Sequence, residues 1–302
     1  MVPGSASPFR KTTIEIHAGR DHLPIAALAN YPAGEYPDII WLHANGFNAR
    51  TYAHMLGPLT GALRVLAVDQ RGHGGTPQQR PADGKLDALD MRDDVIALLE
   101  ALAAPGPVVL AGHSMGGCVS ILAAAERPAQ VRALALFDPV ILSRERADEI
   151  LRRGAPVESP LVAKARSRRR RFPSRDAVLE TYVGRSIFAT WPVEAVRGYV
   201  DDGFRDLPDG SVELACAPEW EAANFAAHGH DIWDAMSRVR APIRIWRAEH
   251  GTTCAIGDAA EFPRPAGQVK VETVAGATHF LPIERPELVK AALVGLFADL
   301  RT

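Results

Sequence analysis

The run Gly112-His113-Ser114-Met115-Gly116-Gly117 offers chemistry. A serine with glycines two residues before and two residues after it has open space on both sides, because neither glycine carries a side chain. Gly-Pro-Val-Val-Leu-Ala (106–111) precedes it as a β-prone segment, and the Ala-rich Val119–Glu126 suits a helix. Ser114 therefore falls where a strand turns sharply into a helix. This is the setting in which Gly-x-Ser-x-Gly lifts a hydroxyl clear for attack on a carbonyl. A hydroxyl is a poor nucleophile at neutral pH, so the pattern demands a base within reach.

The elements that must position such a serine can be read as apolar runs. Thr13–His17 and Ile25–Asn30 read as an opening pair of strands. Asp38–His43, Arg64–Asp69, Pro107–Ala111, Val131–Asp138, Pro242–Arg247 and Val269–Val274 follow. Between them, Leu86–Ala103 and Pro286–Leu300 carry apolar residues at helical spacing. Continuous apolar strands alternating with helices predict an α/β, doubly wound fold, a mostly parallel central sheet with helices on both faces. The rhythm breaks over 143–240, where charged, helix-like sequence is interrupted by Pro and Gly. That span reads as an inserted helical cap, leaving 1–142 and 241–302 as the core domain. The Arg-rich stretch Arg166–Arg171 inside it reads as a solvated helix face near acidic Glu145–Glu149 and Asp201–Asp202.

Composition narrows the function classes. The 302 residues are 47% hydrophobic and 23% charged, ordinary for a chain that buries a core. A net charge of -2 and a pI of about 6.6 lack the basic excess of a nucleic-acid binder. Cys118, Cys216 and Cys254 form no disulfide framework or metal pair, which suits a reducing compartment. Met1–Pro8 shows no basic region leading into an apolar one. No window reaches the roughly 18 uninterrupted apolar residues of a membrane span. The expectation is a soluble, cytoplasmic protein without a membrane or nucleic-acid partner. Phosphate-loop, dinucleotide and His-Glu-x-x-His zinc motifs are absent from the sequence, so the expected chemistry needs no cofactor and no metal.

Four stretches, WLHANGF (41–47), DQRGHGGT (69–76), GHSMGG (112–117) and GATHFLPIERPE (276–287), each follow an expected strand. Together and in this order the chain resembles the α/β-hydrolase superfamily, over nearly everything outside the cap. The resemblance implies Ser114 as nucleophile and His279 as base. It usually places the acid after the penultimate strand, but Gly251 stands there. Some members take it from the strand end after the nucleophile helix, where Asp138 lies; Asp138 is favoured and Glu249 is the alternative. The oxyanion donors implied are the Met115 amide, free at a helix start, and an amide near Asn45, with Phe47 also possible. Ala44 departs from the family's His-Gly-x at this loop. His43 is expected to buttress that loop, Arg71 to anchor loops, and Gly72, Gly74 and Gly75 to permit a tight turn.

The remaining histidines are assigned away from proton transfer. His113 neighbours the nucleophile in sequence and is expected to point away from it. His73 belongs to a turn-rich loop, and His228 and His230 to the surface. Phe47, His113, Phe172, Phe188, Trp191 and Trp220 are the candidate substrate-binding residues, with Tyr182 and Phe225 beside them. The expected activity is a serine hydrolase cleaving an ester-like bond of a small to medium, largely apolar small-molecule substrate. A carbon–carbon bond hydrolase, a cofactor-free peroxidase-like enzyme and a hydrolase-fold binding or receptor protein are the alternatives. Ser114 excludes enzymes of this fold that use a carboxylate nucleophile.

Overall fold

The structure is a computed structural model that describes residues 8–19, 21–78, 88–226, 230–258 and 268–301. Its strands are β1 (Arg10–Ala18), β2 (Asp21–Ala29), β3 (Ile39–Leu42), β4 (Val65–Val68), β5 (Val108–His113), β6 (Val131–Phe137), β7 (Arg171–Phe172), β8 (Phe204–Asp206), β9 (Val212–Leu214), β10 (Ile243–His250) and β11 (Val269–Thr278). Its α-helices are α1 (Ala53–Leu56), α2 (Ala88–Leu102), α3 (Met115–Glu126), α4 (Arg144–Arg153), α5 (Pro160–Arg166), α6 (Arg175–Tyr182), α7 (Val193–Gly203), α8 (Pro218–Ala226), α9 (Ile232–Arg238), α10 (Leu281–Glu284) and α11 (Pro286–Asp299). Leu86, where the first expected helix began, and His228 lie outside the described residues.

Eight strands form one sheet in the order β1-β2-β4-β3-β5-β6-β10-β11. The first two pairings are antiparallel and the rest are parallel. Side chains alternate across this sheet, as a pleated strand requires. Ile40, Leu42, Leu66, Val68, Leu110, Leu134 and Leu136 pack on one face with α2, α3 and α9. Ile39, Trp41, Val65, Ala67, Val109, Ala111 and Phe137 pack on the other with α1 and α11. Both faces are covered, which is why these strands read as unbroken apolar runs.

The insertion between β6 and β10 differs from the sequence expectation in two ways. It contains a small antiparallel sheet, β7-β9-β8, with Phe172 opposite Val212 and Phe204 opposite Leu214. Strands of two and three residues are too short to show alternation. Its last helix, α9, buries Ile232, Trp233, Ala235 and Met236 in the core against α3 rather than over the site. Residues near both ends of the inserted span, Ala147 of α4 and these residues of α9, therefore pack in the same cluster as the central sheet. Arg168 also departs from the solvated reading of the Arg-rich stretch. It pairs with Glu221 and donates to the Tyr199 hydroxyl at 2.5 Å. None of the helices among the described residues is long and apolar enough to cross a membrane.

Candidate active site

Ser114 occupies the single residue between β5 and α3, with φ 55° and ψ −118°. Such a backbone costs about 1–3 kcal/mol and persists only where the surroundings hold it. The surroundings are tight because glycine lets α3 press onto the strand ends. A Cβ on Gly112 would lie 2.5 Å from the Gly116 carbonyl carbon, and one on Gly116 would collide with the Leu42 and His43 carbonyls. The Ser114 amide donates to the Phe137 carbonyl at 3.2 Å, and its own carbonyl accepts from Gly117 and Cys118. The turn is therefore tied to β6 as well as to α3.

His279 follows the last residue of β11. Its Nε2 lies 3.0 Å from Ser114 Oγ and its Nδ1 2.6 Å from Asp138 Oδ2. Asp138 is fully buried at the end of β6, with φ 44°. Its Oδ1 accepts from the Ala248 amide at 2.7 Å and the Thr252 hydroxyl at 2.5 Å; Oδ2 accepts from the Thr253 amide at 2.9 Å. Burial pushes this carboxyl up, but the His279 hydrogen bond and charge, with the Thr252 and Ala248 donors, outweigh it and hold the pKa below the usual value. An ionised carboxylate only accepts, so His279 carries its proton on Nδ1. Its Nε2 lone pair then faces Ser114. Glu249 does not meet His279. It is half exposed and accepts the Gly276 amide at 2.7 Å.

Thr252 and Thr253 are site residues that sequence reasoning missed. They stand at the strand end where the family usually supplies its acid, and here they hold Asp138 instead. The Gly-Thr-Thr run after β10, in place of an Asp, was the available signal. His113 corrects its expectation as a substrate contact. It is fully buried, and its Nε2–H donates to the His279 carbonyl at 2.7 Å. Its Nδ1 accordingly accepts from the Tyr52 hydroxyl at 2.7 Å, and that hydroxyl accepts the Ala44 amide at 3.1 Å. Burial, followed by the His279 charge, pushes His113 down to about 3, so the ring is neutral. The chain of donors links the loop after β3, the turn at Ser114 and His279.

The loop after β3 accounts for its own amides. Ala44 donates to Tyr52, Gly46 to His73 Nε2 at 3.0 Å, and Phe47 to the Ala44 carbonyl at 3.1 Å. The Phe47 amide is therefore engaged, against the expectation that it serves as an oxyanion donor. Among the described residues, the Asn45 and Met115 amides have no such partner. His43 accepts the Gln70 amide at 2.9 Å, which ties this loop to the one after β4. Arg71 is buried and ion-paired with Asp94 and Asp21. The turn over Gly72 is packed so closely that a Cβ there would strike the Trp220 indole.

Aromatic rings gather beside the histidine. Phe47 lies 5.1 Å from Trp191, 5.8 Å from Tyr199 and 6.2 Å from Phe280, and Phe280 lies 5.5 Å from His279. Phe188 joins them 4.9 Å from Trp191. Phe172 sits a layer further out against Tyr182 and Phe204. Trp220 belongs elsewhere. It packs with Cys216 and Ala217 and donates to the Arg71 carbonyl at 3.1 Å. Phe225 packs on α5 with Val162 and Ala165. His230 contacts the Cys118 sulfur at 3.2 Å, behind the elbow helix. Phe280 and Tyr199 are not among the sequence candidates, although Phe280 directly follows His279. Among the described residues, His, Cys, Asp and Glu gather nowhere as a metal site.

A largely parallel sheet with a strained serine between β5 and α3, facing a histidine after the last strand, is the arrangement of an α/β hydrolase. The chain belongs to the Alpha/beta hydrolase family, whose model matches residues 39–292. It is 28% identical over 262 residues to the 2-(acetamidomethylene)succinate hydrolase of Mesorhizobium japonicum, covering 86% of this chain and 87% of that one. Esterase Rv0045c of Mycobacterium tuberculosis is 27% identical over 265 residues, covering 86% and 84%. The crystal structure of E-2-(acetamidomethylene)succinate hydrolase matches with a TM-score of 0.71 at 24% identity, over 96% of this chain and 99% of that one.

Proposed function

We propose that the protein is a serine hydrolase that cleaves an ester-like bond of a small to medium, largely apolar molecule through an acyl-enzyme. The observation that carries the reading is the hydrogen-bonded line Ser114 Oγ, His279, Asp138, at 3.0 and 2.6 Å. Two relatives named as a hydrolase and an esterase support hydrolysis as the reaction class.

In this mechanism Ser114 Oγ attacks the substrate carbonyl carbon as its proton passes to His279 Nε2. Asp138 stays ionised and stabilises the imidazolium through Nδ1–H. The oxyanion formed at the carbonyl is met by the Met115 and Asn45 amides, each worth about 3 kcal/mol in the transition state. The tetrahedral species collapses, the ester C–O bond breaks, and the leaving alkoxide takes the proton from His279. Water then attacks the acyl-enzyme with His279 again as base, the acid is released, and the proton returns to Ser114. Phe47, Phe188, Trp191 and Phe280 supply the apolar wall for the acyl group.

Steady-state turnover of p-nitrophenyl esters from acetate to octanoate tests the reading, with Ser114→Ala beside the parent. The expected result is parent turnover and a loss of at least about 10³-fold in Ser114→Ala. A parent that turns over none of these esters would overturn the esterase reading. Fluorophosphonate labelling of Ser114 in that same parent would redirect it to another cleavable bond, the carbon–carbon bond of a vinylogous diketone first.

A further inference from the structure

We infer that helix α8 of the insertion aims the oxyanion hole, with Asn224 and the Asn45 side chain as positioning residues. The inference rests on the serine-hydrolase reading above. Along Ala44–Phe47, the Ala44, Gly46 and Phe47 amides are each bound to a partner, and of these four the Asn45 amide is the one open to an oxyanion. The Asn45 side chain is buried; its Oδ1 lies 3.3 Å from His73 Nε2, and each of its two ends is hydrogen-bonded to helix α8. Its Nδ2 donates to the Glu221 carbonyl at 2.9 Å, and its Oδ1 accepts from Asn224 Nδ2 at 2.9 Å. A main-chain carbonyl can only accept, so Glu221 fixes which way the Asn45 amide faces. That orientation in turn requires Asn224 to donate.

The helix also rests on the loop sterically. A Cβ on Gly46, where φ is +76°, would lie 2.7 Å from Glu221 Oε1. Helix α8 is anchored independently, by Trp220 Nε1–H on the Arg71 carbonyl and by the pairing of Glu221 with Arg168. The loop is thus clamped on three sides. Tyr52 holds the amide before Asn45, His73 the amide after it, and α8 the side chain between. With all three held, the peptide unit carrying the Asn45 N–H cannot rotate. Aim matters here because an oxyanion donor acts only at about 2.7–3.1 Å, and a misplacement of about 1 Å costs up to about 10²-fold.

The test measures p-nitrophenyl ester kinetics and the rate of fluorophosphonate labelling at Ser114, per titrated active site, for the parent, Asn224→Ala and Asn224→Asp. Labelling forms the Oγ–P bond, breaks P–F, releases fluoride, passes the serine proton to His279 and places the phosphoryl oxygen in the same hole. Above neutral pH the ionised carboxylate introduced by Asn224→Asp keeps the shape of asparagine and cannot donate. Both variants should lose about tenfold or more in kcat and in labelling rate, with KM within about twofold of the parent. Parent-like kcat per titrated site in both variants would overturn the inference, because a merely structural role changes only the folded fraction. A parent-like Asn224→Asp beside a slow Asn224→Ala would also overturn it, leaving packing as the explanation. A parent that fails to label at Ser114 would remove the serine-hydrolase reading itself, and this inference with it.

Discussion

Replacing Asp138 with asparagine changes one oxygen for an NH2 group in a pocket built entirely of donors. Each carboxylate oxygen meets one fixed main-chain amide, Ala248 at Oδ1 and Thr253 at Oδ2. Adjustable partners complete the shell, the Thr252 hydroxyl at Oδ1, and the His279 imidazole with the more distant Thr253 hydroxyl at Oδ2. Whichever way the new carboxamide sits, its NH2 opposes a main-chain N–H, a buried mismatch costing about 1–3 kcal/mol of stability. If the NH2 faces His279, Nδ1 must accept, the proton moves to Nε2, and the imidazole can no longer take the Ser114 proton. A fall of about 10⁴-fold in kcat follows, because the ring is held in the wrong tautomer. If the NH2 faces Thr252, the tautomer survives but the charge that stabilises the imidazolium is lost. The assay is kcat on p-nitrophenyl butyrate for Asp138→Asn and Glu249→Gln, with unfolding in urea to register the stability cost. Glu249 touches Gly276 and not the histidine, so Glu249→Gln should stay within about threefold of the parent. Asp138→Asn within tenfold of the parent, with Glu249→Gln the damaged variant, would refute the reasoning.

Three further outcomes follow from the same packing. His43, His73 and His113 are buried and neutral, with pKa values pushed down by burial first. The unfolded chain protonates these histidines below about pH 6.5, so their share of stability is present above that pH. It is lost as pH falls, by about 1.3 kcal/mol each between pH 7 and 5.5. Asp69 and Asp94, both pushed up to about 6 by burial, run the other way and return about 0.8 kcal/mol each. Urea unfolding should therefore show a net loss of about 2 kcal/mol at pH 5.5, and a flat or rising stability would count against it. Gly116→Ala drives a methyl into the Leu42 and His43 carbonyls and should cost about 3 kcal/mol or abolish soluble expression; a Tm within two degrees of the parent would contradict that packing. Arg168→Met should cost about 3 kcal/mol by leaving the Glu221 carboxylate without its cation, and adding Glu221→Gln should restore part of it; strict additivity in that cycle would show the pair uncoupled.

Local features of the chain carried much of this architecture. The core strands are legible because both sheet faces are covered, so β3 and β4 are unbroken apolar runs and β5 and β6 are nearly so, with Arg132 the one charged residue in β6. The elbow is legible because Gly112, Ser114 and Gly116 lie within five residues, and a strained turn acts on its immediate neighbours. His279 was placed by its position after the last strand. The small sheet of the insertion was not legible, since a two-residue strand such as Arg171–Phe172 carries no period. The aromatic candidates are legible only as a set. Phe47, Phe188 and Trp191 meet beside His279, while Trp220 turns to the Arg71 carbonyl, a division made by packing between distant segments.

The choice of carboxylate lies on the same line. Asp138 and Glu249 both stand at strand ends in the sequence, where the resemblance favours Asp138 and leaves Glu249 as the alternative. The sheet order brings β6 against β10, so the end of β10 wraps the Asp138 carboxylate with Ala248, Thr252 and Thr253. His279 reaches it from the loop after β11. The loop after β3 is likewise held by Tyr52, His73 and α8, through contacts up to 179 residues apart in the chain, which leave the Asn45 amide open. Fold class and the serine turn could be read from the chain alone, because runs and turns are set by neighbouring residues. Which acid faces the histidine and which amide stays open were settled in three dimensions, because strand order and packing choose the hydrogen-bond partners.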